Sequence, residues 1–213
     1  MKIGPMTPAE SPTIFLIQNL ALGRCPHCGV ARPLLSKVAG FGTQDSNGRR
    51  RWWGTYVCSV CGGVVTAASL SENGRVGEFY PRVEPIDLTI PERPRAFLKQ
   101  ASESLAQPSG AIMLCASAID AMLKERKLTK GSLYERIDLA ATRHLITDGM
   151  ARWAHQVRLD ANDQRHADGA TPLPTHEDAK RCLEFAMALA EFFFVLPARV
   201  TRGIKEATPE KKA

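Results

Sequence analysis

The stretches Cys25-Pro26-His27-Cys28-Gly29 and Cys58-Ser59-Val60-Cys61-Gly62-Gly63, with 29 residues between Cys28 and Cys58, decide the fold of the N-terminal part of this chain. Each Cys-x-x-Cys pair predicts a tight turn that aims two thiolates at one point, and the glycines supply the backbone conformations that such turns need. Four thiolates complete a tetrahedron around Zn²⁺ and leave no open position for water, so the metal would be structural rather than catalytic. We therefore predict a zinc ribbon with four metal ligands: Cys25, Cys28, Cys58 and Cys61.

The alternative interpretation of these motifs is two redox-active or unliganded cysteine pairs. Redox Cys-x-x-Cys motifs, however, come singly on a βαβ fold, which this sequence does not indicate. His27 is predicted to be a spacer, because four thiolates already saturate the metal. The other two cysteines, Cys115 and Cys182, lie inside helical patterns and are predicted to be small core residues. With no disulfide framework, the cysteines indicate a reducing compartment and a cytoplasmic protein.

The residues around the cysteine motifs predict a small antiparallel β unit. Residues 20–80 are rich in Gly, Val, Thr and aromatic residues, with turn signals such as Asp45-Ser46-Asn47-Gly48. A hairpin with a loose tip at that turn would fill the interval between the two cysteine pairs. Four prolines between Pro81 and Pro94 then predict an extended connector, because proline lacks a backbone donor and disfavours helix at the preceding residue.

From Pro94 onward the pattern becomes helical and no strand signal returns. Apolar spacing and capping signals predict five helices, over residues 95–107, 110–123, 132–145, 148–166 and 175–196. Residues 110–123 are apolar nearly all round and belong in the middle of a bundle, whereas Pro197 should end the last helix. The predicted fold class is α+β. Its parts are a ribbon unit over residues 1–84, a Pro-rich linker over 85–94, an all-α bundle over 95–201 and a polar, frayed tail over 202–213.

Two of these helices begin with the signature of a capping box. In this motif a Ser or Thr and an acidic residue three positions later accept hydrogen bonds from each other's backbone N–H groups. The pairs are Ser132 with Glu135 and Thr175 with Asp178. Both pairs therefore predict a helix start.

The composition is that of a folded, soluble chain: of 213 residues, 44% are hydrophobic and 23% are charged. Apolar runs such as Ala111–Ala116 and Phe192–Leu196 are far shorter than the roughly 20 residues of a membrane span, so we expect no membrane partner. Residues 14–22 could alternatively be the apolar part of a signal peptide, but Gln18 and Asn19 interrupt the stretch. The net charge of +6 is divided evenly between residues 1–90 and 91–213 and does not by itself indicate nucleic-acid binding.

A run of cations and aromatic residues, Arg49-Arg50-Arg51-Trp52-Trp53, lies in the predicted hairpin. This mixture is typical of surfaces that clamp phosphates and stack bases, so Arg49, Arg50, Arg51 and Trp52 are candidate nucleic-acid contacts. The alternative is a solvated loop tip followed by two strand residues that pack against the small core of the ribbon.

A second candidate site lies on the helix that should end near residue 166. Arg158, Asn162 and His166 are spaced four apart, so each is turned about 40° from the last and the three share one face, with His155 near its start. The alternative is an ordinary solvated face with a terminal histidine that the helix dipole favours. Spacing alone favours this alternative.

The order of motifs along the chain resembles a known family. The ribbon is followed by Tyr80-Pro81, Pro91-Glu92-Arg93-Pro94, an Ala-rich helix, Gly131-Ser132-Leu133-Tyr134-Glu135-Arg136-Ile137 and Arg158-x-x-x-Asn162-x-x-x-His166. This arrangement looks like domain of unknown function 4145, which is similar to the HEPN superfamily of α-helical bundles common in bacterial defence and toxin systems. In many HEPN proteins an Arg, a polar residue and a His form a metal-independent RNase site across a dimer interface. The resemblance implies these roles for Arg158, Asn162 and His166.

Two classes of function follow. The first is a nucleic-acid-interacting, HEPN-like homodimer that binds RNA and, if catalytic, is a metal-independent endoribonuclease of a defence or toxin type. The second is a non-catalytic module in which the zinc ribbon and the helical bundle bind a partner protein. Self-association is expected because five helices of this length leave part of the central apolar helix and Phe192-Phe193-Phe194 to be covered.

Overall fold

A computed structural model of the chain describes residues 13–82, 85–166 and 172–207. The chain divides into two compact units, with the boundary between residues 83 and 84, and each unit has its own hydrophobic core. The first unit contains a small antiparallel sheet and the second contains helices. The α+β fold class predicted from the sequence is therefore confirmed.

Four strands form the sheet of the N-terminal unit, in the order in which they occur along the chain. They are β1 (Leu35–Gln44), β2 (Arg50–Cys58), β3 (Val64–Ser69) and β4 (Val76–Tyr80), and all neighbours are antiparallel. β1 and β2 form the predicted hairpin. Its tip is not the loose loop expected, because Asp45 Oδ1 accepts hydrogen bonds of 2.9 Å from the backbone N–H groups of Asn47 and Arg49.

One face of the sheet is buried and the other is open. Tyr56 is fully buried, and its hydroxyl donates a hydrogen bond of 2.9 Å to a backbone carbonyl. A Cβ on Gly54 would lie 2.7 Å from the Tyr56 ring, so glycine is needed for the ring to approach the strand. Trp52 packs against this core. Because successive side chains along a strand point to opposite faces, Trp53 lies on the open face. Its partner on β1 is Phe41.

The C-terminal unit is a bundle built around one central helix. Its elements are α1 (Glu92–Glu103), α2 (Pro108–Glu125), α3 (Leu133–Thr142), α4 (Asp148–His166), α5 (His176–Ala190), a π-helical turn (Glu191–Val195) and α6 (Leu196–Ala207). α2 packs against α1, α3, α4 and α5, as its all-round apolar pattern predicted. Cys115 on α2 and Cys182 on α5 are both buried, which confirms that they are core residues.

Capping boxes fix the starts of α3 and α5, as predicted. The Ser132 side chain accepts a hydrogen bond from the Glu135 N–H, and the Glu135 carboxylate accepts one from the Ser132 N–H. Thr175 and Asp178 exchange the same pair of bonds. Each box satisfies backbone N–H groups that the first helical turn would leave without partners.

Two predictions that rest on proline were wrong. α1 begins at Glu92, so Pro94 lies inside its first turn, where the missing N–H needs no intrahelical partner, and not at the end of an extended linker. The last helix also does not end at Pro197, because α5 continues through the π-helical turn into α6. In that turn the Leu196 N–H bonds to the Glu191 carbonyl, five residues back, and the widened turn accommodates a proline that has no donor. The tail expected to fray from residue 202 is helical as far as Ala207.

The π-helical turn and α6 present a row of apolar side chains to solvent. Phe192, Leu196, Val200 and Ile204 are spaced four apart and are between 40% and 62% exposed. No residue of α6 is buried, so this helix adds nothing to the core of the bundle. Among the helices of the described residues, none is both long enough and apolar enough to cross a membrane.

Candidate metal centre and arginine-lined groove

Each cysteine pair lies in a tight turn whose backbone is closed in the same way. The Gly29 N–H bonds to the Cys25 carbonyl, and the Gly62 N–H bonds to the Cys58 carbonyl, both at 2.9 Å. Both glycines have a φ of 70°, in the left-handed region that other residues rarely adopt. The two turns therefore present their sulfur atoms in equivalent ways.

The four sulfurs come together in one cluster. The Sγ atoms of Cys25, Cys28, Cys58 and Cys61 all lie within 4.8 Å of one another, and those of Cys25 and Cys61 are 3.9 Å apart. A tetrahedron with metal–sulfur bonds of about 2.3 Å has sulfur–sulfur edges of about 3.8 Å, whereas the bond of a disulfide is about 2.05 Å long. The cluster is therefore compatible with one four-coordinate metal ion and not with disulfides.

Burial and hydrogen bonding set the ionisation of these thiols. Burial, together with the neighbouring sulfurs of Cys61 and Cys25, raises the pKa of the Cys28 thiol to about 12, and burial also raises the pKa of Cys61. At Cys58, burial is outweighed by hydrogen bonds from backbone N–H groups, and the pKa is lowered. Because metals bind the thiolate form, occupation of this site must release protons.

His27 lies in the first cysteine turn but not in the cluster of ligand atoms, in agreement with its prediction as a spacer. Its Nε2 is 2.8 Å from the carbonyl oxygen of Val64 on β3. The ring lies against Gly63, where a Cβ would come within 2.5 Å of it. The His27 side chain therefore ties the first cysteine turn to the strand that follows the second.

The predicted nucleic-acid contacts of the hairpin do not share one surface. The three arginines, Arg49–Arg51, are exposed at the tip and at the start of β2, and Arg51 forms an ion pair with Glu78 of β4. Trp52, by contrast, packs against the core. The aromatic residues on the open face beside Arg51 are Trp53 and Phe41, which the sequence pattern did not distinguish from Trp52.

The polar face of α4 lines a small cavity. Arg158 and Asn162 border about 250 Å³ of space together with Tyr134 and Arg165. The structure thus brings two of the three predicted residues to one site. His166 is the last residue of α4, but its side chain lies outside the described residues.

Aromatic packing holds Arg158 in place. Its guanidinium carbon lies 5.3 Å from the centroid of the Tyr134 ring, a cation–π distance, and its buried Nε has no hydrogen-bond partner among the described residues. Tyr134 also contacts the His155 ring at 4.7 Å, and His155 Nε2 is 2.9 Å from Asp138 Oδ1. His155 therefore supports Tyr134. An arginine fixed in this way, with donors unused, is suited to bind an anion.

A second cavity, of about 350 Å³, adjoins the first, and sequence reasoning missed it. Its cationic lining residues are Arg93, Lys124, Arg136 and Arg165. Asp120 is the acidic lining residue, and it forms ion pairs with Arg136 and, at 2.6 Å, with Lys124. Arg165 could have been found from the sequence, because it lies seven residues, about two helical turns, after Arg158. Arg93 could not, because it belongs to α1.

The chain is thus an α+β protein with a four-cysteine cluster in its sheet unit and a basic groove on its helical bundle. Residues 99–207, slightly more than half of the chain, match the family described as Domain of unknown function (DUF4145), and the chain belongs to this family. The matched segment includes the α4 cavity but not Arg93. No curated protein and no solved structure matches the chain.

Proposed function

We propose that this protein is a HEPN-like, RNA-binding protein of a bacterial defence or toxin type, and that the α4 cavity is a metal-independent RNase site. The proposal is carried by one observation: Arg158 and Asn162 line the same cavity, and Arg158 has no acidic partner among the described residues. A fixed guanidinium beside an amide is the chemistry that binds a phosphate and its neighbouring oxygens. The resemblance to HEPN bundles supports RNA as the anion.

RNA supplies its own nucleophile, so the protein needs only to move protons and stabilise charge. In the proposed reaction the 2′-oxygen attacks the adjacent phosphorus and the bond from phosphorus to the 5′-oxygen breaks, which leaves a 2′,3′-cyclic phosphate and a 5′-hydroxyl. His166 accepts the 2′-hydroxyl proton and returns a proton to the departing oxygen, since histidine has an unperturbed pKa of about 6.5. Arg158 binds the phosphate with two donors, and Asn162 orients the histidine or holds a phosphate oxygen.

Cleavage of a mixed RNA substrate by the purified full-length protein, with and without a chelator, tests this proposal. Losing a proton-transfer group typically costs roughly 10² to 10⁴ in rate, so His166→Ala should abolish detectable cleavage. His144→Asn is the matched control: His144 is exposed, lines neither cavity and has a positive φ that asparagine tolerates. DNA, which lacks the 2′-hydroxyl, should stay intact. If His166→Ala cleaves like the parent, or if a chelator stops cleavage, the mechanism is wrong.

We also propose that the four cysteines hold a structural Zn²⁺, which makes the N-terminal unit a zinc ribbon. Arg49, Arg50, Arg51 and Trp52 of its hairpin are proposed as further nucleic-acid contacts, a role that the exposure of the arginines supports. As Trp52 packs against the core, its part in this role is tested separately with Trp52→Phe, which should bind RNA more weakly than the parent without loss of zinc. Equal binding would remove Trp52 from the proposed surface.

The proposed enzyme works as a homodimer, in which the α4 faces of two chains lie opposite each other. Light scattering at tens of micromolar, a range that covers ordinary dimer affinities, checks this arrangement. A monomer over that range would remove the composite site. Mixing Arg158→Gln with His166→Ala tests the same point, since a composite site that takes Arg158 from one chain and His166 from the other should regain cleavage in the mixed dimer.

The second candidate function is a non-catalytic module that binds a partner protein. The observation that favours it is an exposed apolar row along the π-helical turn and α6, because apolar patches of this kind mark interaction surfaces. The row consists of Phe192, Leu196, Val200 and Ile204. RNA binding separates the two candidates. If the parent protein neither binds nor cleaves RNA, the interaction module becomes the better proposal.

A further inference from the structure

The second cavity of the bundle carries positive charge that the protein itself does not neutralise. Both carboxylate oxygens of Asp120 are engaged, Oδ1 by Arg136 and Oδ2 by Lys124. Within the described part of the chain, no acidic side chain pairs with Arg93 or Arg165. Two arginines from different helices, α1 and α4, therefore face one cavity with their donors available.

This cavity is continuous with the α4 cavity. Ala116, Leu133, Ala161 and Arg165 line both spaces, so the two form one groove with Arg165 at the junction. The seven residues from Arg158 to Arg165 correspond to about 10 Å along the helix axis. The groove is therefore long enough to give the two guanidinium groups separate anion positions.

We propose that Arg93 and Arg165 bind backbone phosphates of an RNA strand whose neighbouring nucleotide occupies the cavity of Arg158 and Asn162. The inference rests on the proposed function and deepens it: the ligand is a polynucleotide with several phosphates, not a mononucleotide. Arginine suits this role because its planar fork binds phosphate through two parallel donors.

The remaining lining of the groove favours RNA over an acidic peptide. Between the cations the second cavity is lined by Phe97, Met113 and Leu133. Sugars and bases can lie against such side chains while the phosphates contact the arginines. A peptide would place backbone N–H and C=O groups there without hydrogen-bond partners, which costs free energy.

Salt-dependent binding measures the number of phosphates that the groove contacts. The ligand is a labelled single-stranded RNA of about 12 nucleotides with 2′-O-methyl groups, which prevent cleavage, and binding is followed by anisotropy at several KCl concentrations. Each lost phosphate contact should lower the slope of log K against log salt by about 0.7. We expect this loss for Arg93→Gln and for Arg165→Gln, and retention of the slope for Arg93→Lys. Uridine monophosphate should bind the parent and Arg93→Gln equally.

Arg152→Gln is the matched control, because Arg152 is an exposed arginine of α4 that lines neither cavity, and its slope should stay at the parental value. Unchanged slopes for both Arg93→Gln and Arg165→Gln, with weakened binding by Arg158→Gln, would overturn this inference and leave the proposed function standing. Absence of RNA binding by the parent would overturn both. Displacement of the RNA by polyglutamate at equal charge concentration would show that the groove takes an acidic peptide.

Discussion

Replacing Asp120 by asparagine should weaken the bundle and strengthen RNA binding at the same time. Asp120 on α2 is paired with Arg136 on α3, whose side chain is only 9% exposed, and with Lys124 one turn further along α2. Asparagine keeps the shape of the side chain but removes its charge. Arg136 would then keep its hydrogen bond to the Gly131 carbonyl but would lose the negatively charged partner that Asp120 provides.

The size of the effect follows from the burial of the two partners. Breaking a fully buried ion pair costs about 3 to 5 kcal/mol, because a charge is left without compensation, whereas an exposed pair contributes about 0 to 1 kcal/mol. Arg136 is buried but Asp120 is 23% exposed, so we expect the free energy of unfolding to fall by about 2 kcal/mol. With a urea dependence of about 2 kcal/mol/M, the midpoint should fall by about 1 M.

Urea unfolding followed by circular dichroism at 222 nm reports on this change, since the described helices lie in the C-terminal unit. Lys124→Gln removes only the exposed pair and should cost less than about 0.5 kcal/mol. Asp120→Leu combined with Arg136→Met removes both charges and should be more stable than Asp120→Asn. A midpoint for Asp120→Asn that equals the parental one, or a double variant less stable than the single one, would refute the reasoning. The RNA affinity of Asp120→Asn should rise, because an acidic side chain leaves the groove.

The remaining predictions concern the metal, the thiols and the helix starts. Protein purified without added metal should contain one zinc per chain by elemental analysis, and Cys58→Ala should lose both the zinc and the fold of the N-terminal unit; much less than one zinc in the parent would contradict the assignment. Burial raises the pKa of both Cys115 and Cys182 to about 12, so a thiol reagent should label neither of them in the native protein at pH 8, and rapid labelling of either would show that the bundle core is open. Hydrogen bonds from Thr175, and to a smaller extent from Arg181, lower the pKa of Asp178 from 3.8 to about 2. The stabilisation of α5 by the ionised Asp178 is therefore complete above pH 4 and is lost as the pH falls through 2. Thr175→Ala should lower the free energy of unfolding by about 1 kcal/mol at pH 7 and should make the melting temperature depend less on pH in the acid range. The same fall in melting temperature at low pH as in the parent would contradict this role of the capping box.

Features that depend only on residues close together in the sequence could be predicted. The cysteine turns and both capping boxes are local, because each needs only a few residues with fixed spacing. Pro94 and Pro197 were misjudged for the opposite reason: the effect of a proline depends on its place within a helix, and the sequence does not mark that place. Whether Trp52 or Trp53 packs against the core depends on which face of β2 is turned inward, and only the folded sheet shows that this is the face of Tyr56.

The candidate sites divide in the same way. The four cysteines could be predicted because they form two short Cys-x-x-Cys motifs. Arg158 and Asn162 could be predicted because their spacing places them on one face of a helix. Arg93 was missed because it joins the groove only when α1 packs against α2, which no periodicity along the chain can indicate. Tyr134, which holds Arg158, is likewise brought to it by the packing of α3 on α4.

The β1–β2 hairpin has a consequence for metal affinity that concerns chain entropy. The 29 residues between Cys28 and Cys58 would have to be closed into a loop by the metal if they were unstructured. Such a closure costs about (3/2)RT ln n beyond a constant, or about 3 kcal/mol for a loop of this length. In the folded unit the paired strands and the Asp45 turn hold this loop closed, so strand pairing offsets part of the closure cost that the metal would otherwise bear alone. Residues far from the sulfur atoms, at the tip of a hairpin, thereby contribute to how tightly the cysteines hold an ion.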